Sequence, residues 1–332
     1  MLTKAFECRT SFKNSPMILI PVPWSATTSY GGGTEKGPQL IRQESHQLDF
    51  FNSLFKLSYN EKIHFLKEDS LIQSMNTKAL SWVYKIRKKS KKKNEKLYKK
   101  VNSACRFLLD WTYEQASTVF SQKKIPALVG GDHSISEALL SLIGERTKGN
   151  YGILHLDAHA DLRPEYENFK YSHASVMFNV LNLPFPPKKL IQVAVRDFCK
   201  QEYDLIKKEE RIQCYFDDWI YNQIFKGKTW AKLSHDIISK LPEKVYVSLD
   251  VDALTWDYAP DTGTPVPGGL SFNQVLYLFA ELKSQKKKII AFDVVETSGA
   301  NKTSQSSKWN GNVSARLIYY LCGLSLNSYG YI

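Results

Sequence analysis

The sequence predicts a three-layer α/β fold, a mostly parallel eight-stranded sheet covered by helices on both faces. Three observations predict it. Short apolar runs of strand length recur along the chain, and most are continuous rather than alternating, as strands buried on both faces should be. Helical periodicities lie between several of them. The 332 residues are 43% hydrophobic, ample for one large core, and no Pro/Ser/Gly linker or internal repeat divides the chain. A single domain over residues 1–332 follows, with a Lys-rich insertion around 67–100 to which no element is assigned.

The elements can be taken in order. The first apolar stretch, Pro16 to Trp24, is too short to span a bilayer and reads as a strand over Met17–Val22. A second strand is expected at Ile63–Leu66. Leu97, Val101, Ala104, Leu108 and Thr112 step at helical spacing. Strands follow at Pro126–Val129, Gly152–Leu156, Leu190–Val195, Gln213–Phe216 and Val245–Leu249. Ser271 is a suitable N-cap for a helix carrying Val275, Leu278, Phe279 and Leu282, and Ile289–Val294 supplies the last strand.

Charge and cysteine content bound the function. Lys and Arg number 45 against 33 Asp and Glu, a formal charge of +12. Such an excess ordinarily points to nucleic acid or another anionic partner. Here ten basic residues and one acid lie between Lys85 and Lys100, which leaves 35 − 32 = +3 for the rest. No RNA-binding motif accompanies that run, so a catalytically silent nucleic-acid-binding protein is the disfavoured alternative. The five cysteines, Cys8, Cys105, Cys199, Cys214 and Cys322, are scattered and contain no C-x-x-C pair. Reduced thiols in a cytoplasmic, non-membrane protein are expected, since no signal-peptide layout precedes the first strand.

In open α/β sheets, ligands bind beyond the carboxyl ends of the strands. Three strand ends carry acids and imidazoles: Gly130-Gly131-Asp132-His133-Ser134, Asp157-Ala158-His159-Ala160-Asp161 and Asp250-Val251-Asp252. In extended chain, residues two apart point the same way, so Asp157, His159 and Asp161 can converge, as can Asp250 and Asp252. Four crowded carboxylates would repel and protonate without cations. Two divalent ions sharing carboxylates fit that set, and oxygen-rich ligation with two imidazoles suits manganese better than zinc. Any one motif alone is more simply a helix cap or surface polarity. All three together at buried strand ends are costly unless they hold metal.

These three segments resemble the signatures of the ureohydrolases, the family of arginase, agmatinase and formimidoylglutamase. The resemblance extends in order from about residue 17 to 324, through Gly37-Pro38 with Ile41-Arg42, Thr262-Gly263-Thr264-Pro265 with Gly268-Gly269, and Asp293-Val294-Val295-Glu296. It implies an arginase-like fold and a binuclear Mn2+ hydrolase (Ni2+ as the alternative). His133, Asp157, Asp161 and Asp250 would hold one ion, and Asp157, His159, Asp250 and Asp252 the other. Glu296 matches the carboxylate that grips the guanidinium, and His173 in Tyr171-Ser172-His173-Ala174 the proton shuttle. Asp161 counts with these as catalytic, and Asp132 would support the ligands. His155 reads equally well as a supporting residue or an ordinary strand histidine. A homo-oligomer, trimer or hexamer, is implied by the same likeness.

The loop from Asp161 to His173 resembles that of agmatinases and lacks the polar segment with which arginases read the amino-acid end of arginine. Agmatine to putrescine plus urea is therefore the expected reaction. Arginase, guanidino-acid hydrolase, guanidine hydrolase and formimidoylglutamase activities are the alternatives. Arg163 could read an acidic substrate or form a structural salt bridge. Two departures fall near the expected cleft: Thr255-Trp256 where the family has Asp-Pro, and the continuation Thr297-Ser298-Gly299-Ala300-Asn301 after Glu296.

Overall fold

All eight expected strands form, at β1 Met17–Val22, β2 Ile63–Phe65, β3 Ile125–Gly130, β4 Gly152–Leu156, β5 Lys189–Val195, β6 Ile212–Phe216, β7 Lys244–Asp250 and β8 Lys288–Val295. The computed structural model describes residues 5–88, 94–299 and 305–332. The strands make one sheet in the order β2-β1-β3-β8-β7-β4-β5-β6, and every pairing is parallel. Side chains of β1, β3 and β4 are buried throughout, which is why these strands read as unbroken apolar runs.

Ten helices occur among the described residues: α1 Gly37–Glu44, α2 Ser70–Lys88, α3 Glu95–Ser121, α4 Ser136–Thr147, α5 Val176–Leu181, α6 Lys200–Lys208, α7 Asp217–Phe225, α8 Trp230–Ser239, α9 Phe272–Ser284 and α10 Gln305–Ser328. Residues of α1 and α7 to α10 share one core cluster with one face of the sheet. Residues of α2 to α6 share a second cluster with the other face. This is the three-layer arginase-like arrangement. As expected, Ser271 caps α9: its Oγ accepts from Gln274 N while the Gln274 side chain accepts from Ser271 N, a reciprocal capping box.

The Lys-rich segment contains more order than its composition suggests. Helix α2 buries Ile72, Ala79, Val83 and Ile86 against α3, and its Asn76 Oδ1 accepts from Ser25 N at 2.9 Å. Burial contributes about 1.5–3 kcal/mol for each of the larger aliphatic side chains. Residues 89–93 of the basic run lie outside the described residues. No helix among the described residues is long and apolar enough to cross a membrane.

The sheet order positions the chemistry. Its central strands are β3-β8-β7-β4, so the chain leaves β3, passes over two vacant lanes to build β4, and later fills those lanes with β7 and β8. The strand order reverses there, which opens a crevice at the carboxyl ends. His155 sits opposite Ser248, and Ser248 opposite Asp293, so the segments that follow these strands emerge side by side.

Candidate metal centre and active site

The loop after β3 starts the site. A side chain at Gly131 would put Cβ 2.3 Å from the Trp24 carbonyl oxygen, so only glycine lets this loop pass so close to the backbone after β1. Asp132 then caps the short turn His133–Ile135 by accepting from Ser134 N at 3.1 Å, and His133 is delivered beneath the crevice, fully buried. Burial, opposed by the Ser134 hydrogen bonds, pushes Asp132 up to about 6.

The tautomer of His133 can be read from its neighbours. Ser248 Oγ lies 3.0 and 3.1 Å from the two Asp293 oxygens and must donate to that carboxylate. Its lone pair therefore accepts from His133 Nε2 at 2.8 Å, which leaves Nδ1 as a bare acceptor. That Nδ1 makes no directed hydrogen bond, yet Asp157 Oδ2, Asp161 Oδ2 and Asp250 Oδ2 stand 3.0, 3.2 and 3.5 Å from it. A lone pair facing three carboxylates needs a proton or a cation between them.

The segment after β4 supplies the rest. Asp161 adopts φ 53°, a left-handed conformation that costs about 1–3 kcal/mol for a non-glycine residue. The start of α5 holds it there: Met177 N and Phe178 N donate to the Asp161 carbonyl at 3.0 and 3.1 Å. Beside it, His159 Nδ1 lies 3.0 Å from Asp252 Oδ2 and 3.4 Å from Asp157 Oδ1. Asp252 Oδ1 accepts from Ala158 N at 2.9 Å, and Asp250 Oδ1 accepts from Asp252 N at 2.8 Å. Two overlapping clusters result, one around His133, Asp157 and Asp161 and one of Asp157, His159 and Asp252, with Asp250 between them.

His155 belongs to the cluster as a support. Gln192 Nε2 donates to the Ala160 carbonyl at 2.8 Å and to His155 Nδ1 at 2.9 Å, so the proton of this ring is on Nε2, 2.9 Å from Asp157 Oδ2. Both nitrogens are engaged and no lone pair is left for a metal.

The electrostatics match this geometry. Burial opposes a charge on His133, but the Asp157, Asp161 and Asp250 carboxylates gathered around Nδ1 outweigh it and hold the pKa well above the ordinary value. His159 is likewise raised despite burial, chiefly by Asp252. Burial followed by the Asp157 charge pushes Asp161 up to about 6, and burial with Asp252 and Asp157 raises Asp250 further. Burial would raise Asp157 too, but its contacts with His155, His133 and His159 hold it well below the usual range. Without cations the cluster stores protons; with cations it can release them.

Glu296 follows β8 and is also left-handed, at φ 62°. Its N donates to the Gly131 carbonyl, its carbonyl accepts from Thr262 Oγ1, and its Oε1 accepts from His133 N at 2.9 Å. Oε2 is buried without a partner, and burial and then Asp132 raise the pKa of this carboxyl well above normal. A Cβ at Gly263 would lie 2.5 Å from that Oε2. Gly263→Ala should therefore displace the carboxylate and lower kcat/KM about tenfold to a hundredfold, with both metals retained. Steady-state kinetics with metal analysis of the purified variant check it; unchanged kcat/KM would mean that Oε2 has no part in the reaction.

His159, Asp161 and His173 line a cavity of about 220 Å³ that opens to solvent past Tyr30, Tyr166 and Asp197. His173 is buried and its Nε2 has no partner. Burial, and then the charges of His159 and His133, push its pKa down to about 3, so the ring is neutral at neutral pH. Arg163 Nε sits 3.4 Å from Glu202 Oε2 in a salt bridge at the same cavity, which Arg163 also lines. Asp197 is exposed and takes part in none of the ion pairs among the described residues.

Sequence reasoning did not find Ser248, Asp293, Gln192 or Asp197. The first three left a faint signal as polar residues inside buried strands, where a hydrogen-bond partner is obligatory. Asp197 left none, because an exposed acid after a strand is ordinary. Of the two departures near the cleft, Trp256 is exposed, and the other continues from Thr297 to Gly299 into residues outside those described.

The chain is similar in sequence and fold to known proteins. N(1)-aminopropylagmatine ureohydrolase from Synechocystis sp. is 26% identical across 96% of this chain and 91% of its own. Agmatinase from Pyrococcus horikoshii is 27% identical across 94% and 93%. The crystal structure of agmatine ureohydrolase of Thermoplasma volcanium aligns with a TM-score of 0.76 at 21% identity, covering 100% of this chain and 97% of that one. A model of the arginase family matches residues 15–322, and the chain, a ureohydrolase, belongs to that family.

Proposed function

We propose that this ureohydrolase cleaves a guanidino compound with a positively charged tail to urea and an amine, with agmatine, giving putrescine, as the leading substrate. The observation that carries the reading is the bare His133 Nδ1 facing three carboxylates beneath a cavity that also exposes His159. The donor set fits two ions, Mn2+ with Ni2+ as the alternative: His133, Asp157, Asp161 and Asp250 for one, Asp157, His159, Asp250 and Asp252 for the other. Cations there supply the positive charge that makes water acidic enough to attack at neutral pH. The partnerless Glu296 Oε2 would orient the guanidinium through a charge-assisted hydrogen bond, and the positive charge of that guanidinium would favour the ionised carboxylate. Neutral His173 can accept a proton at Nε2 and pass it to the leaving amine.

Charge at the mouth supports the substrate class. Arg163 is engaged by Glu202, whereas Asp197 carries an uncompensated negative charge. A distal ammonium is favoured there and a carboxylate is not, which accords with relatives named for agmatine and aminopropylagmatine. We extend the reading to a cytoplasmic homo-oligomer, trimer or hexamer, testable by sedimentation and fractionation.

The direct test is a urea assay after chelation and reloading with Mn2+ or Ni2+. It covers agmatine, N1-aminopropylagmatine, arginine, guanidinobutyrate, guanidinopropionate and guanidine, with formiminoglutamate followed by formamide release. Turnover of none of them with either metal overturns the proposal. Asp197→Asn should raise KM for agmatine about fivefold to tenfold and leave that for uncharged propylguanidine unchanged. An equal effect on both would remove Asp197 from substrate selection.

A further inference from the structure

The basic segment before residue 100 has no part in the metal centre, yet its two helices grip the loop that walls the cavity. Tyr166 and Phe169 form a two-residue hairpin turn: Tyr166 N donates to the Phe169 carbonyl at 3.2 Å and Phe169 N returns to the Tyr166 carbonyl at 2.8 Å. Its central residues, Glu167 and Asn168, have φ of 52° and 64°, the pattern of a type I′ turn. Glu167 is a poor residue for such a conformation. Its side chain, however, is held from outside the loop. Arg87, near the end of α2, donates to Glu167 Oε2 from Nε at 3.0 Å and from Nη2 at 2.7 Å.

The same Nη2 also donates to the Thr28 carbonyl at 2.9 Å. Thr28 precedes Ser29 and Tyr30, which line the same cavity as Arg163 and Tyr166 but come from a separate segment of the chain. One guanidinium thus joins two walls of the mouth. Helix α3 holds the loop a second time: Lys170 N donates to Asn102 Oδ1 at 3.2 Å, and the rings of Tyr98 and Phe169 are 5.4 Å apart.

We infer that Arg87 is a positioning residue, which sets the width of the substrate cavity by tying Glu167 and Thr28 together. Tyr166, next to Glu167, is the wall residue most directly affected. The metal-facing groups have other supports: Asp161 is held by α5, Glu296 by Gly131 and Thr262, and His173 by the turn that Ser172 caps. Loosening the clamp should therefore weaken substrate capture and leave the chemical step in place.

The inference rests on the proposed hydrolysis for its kinetic readout, and amide exchange gives a second readout that does not. In the Mn2+-loaded protein, Arg87→Ala should raise KM about fivefold to tenfold with kcat within about twofold, and Arg87→Lys should fall between it and the parent. Exchange of amides 165–170 should quicken by a comparable factor. Glu167→Asn separates clamp from scaffold, because Asn suits the left-handed position better than Glu. A merely structural Glu167 predicts unchanged KM and equal or higher Tm; the clamp predicts the same KM increase as Arg87→Ala, with no further increase in the double variant. Unchanged KM in both single variants overturns the inference, whether or not exchange quickens. If the parent hydrolyses none of the guanidino compounds, the proposed function fails, and unchanged exchange in Arg87→Ala then overturns the clamp by itself.

Discussion

Asp161→Asn and His159→Asn should each lower kcat/KM at least about a thousandfold while the fold survives. The two halves of that expectation have separate causes. Turnover is lost because each side chain faces the shared carboxylate Asp157 in one of the two clusters, so the affected ion loses a ligand. The fold survives Asp161→Asn because that side chain stabilises the metal-free chain little, whereas His159→Asn gives up the pairing with Asp252 and Asp157 and should lower the melting point of the chelated protein. Asp161 is already pushed up to about 6 by burial and Asp157, so an amide resembles the protonated acid it replaces. Asparagine also tolerates the left-handed backbone at this position better than aspartate does. The measurement is a urea assay with metal analysis by mass spectrometry and a thermal melt of the chelated protein. We expect about one ion retained in each variant, and for Asp161→Asn a melting point within about 2 °C of the parent. Activity within tenfold of the parent would show that the ligand set is wrong.

Glu296→Gln should cost about a hundredfold to a thousandfold in kcat/KM with both ions still bound, the reverse of the ligand variants in metal content. The substitution keeps the acceptor for His133 N and the buried volume, and removes only the charge presented by Oε2. Since burial and Asp132 already disfavour a charge on the unliganded carboxyl, the metal-free stability should hardly change. A guanidinium oriented by a buried carboxylate loses about 3–4 kcal/mol when that carboxylate becomes an amide. Comparison of kcat/KM on agmatine with manganese occupancy decides it. Full activity in Glu296→Gln would mean that the guanidinium is oriented elsewhere.

Most of this was legible because the fold writes its strands as unbroken apolar runs. All eight strands fell within a residue or two of their expected ends, and the motifs directly after them held the side chains that converge. Adjacency of β3, β8, β7 and β4 was not legible, since pairing is decided by packing between segments far apart in sequence. The protonation logic was not legible either. His155 and His133 look alike in sequence, yet Gln192 leaves one ring without a lone pair while Ser248 and Asp293 free a lone pair on the other. Helix α2 was hidden for a simpler reason: the exposed apolar side chains of Leu71, Leu80 and Tyr84 blur the stripe of its four buried apolar positions.

The position of β8 also dictates the order in which this molecule can be assembled. The strand lies between β3 and β7, but the ribosome makes it after all the others. Until residue 295 has emerged, the nascent chain has two half-sheets with a gap between them and an exposed edge on β3. His133 has met neither Asp250 nor Glu296 at that stage, except by chance encounter. Closure of the sheet and completion of the metal centre are thus one late event, and retention of two ions reports that translation has delivered the central strand.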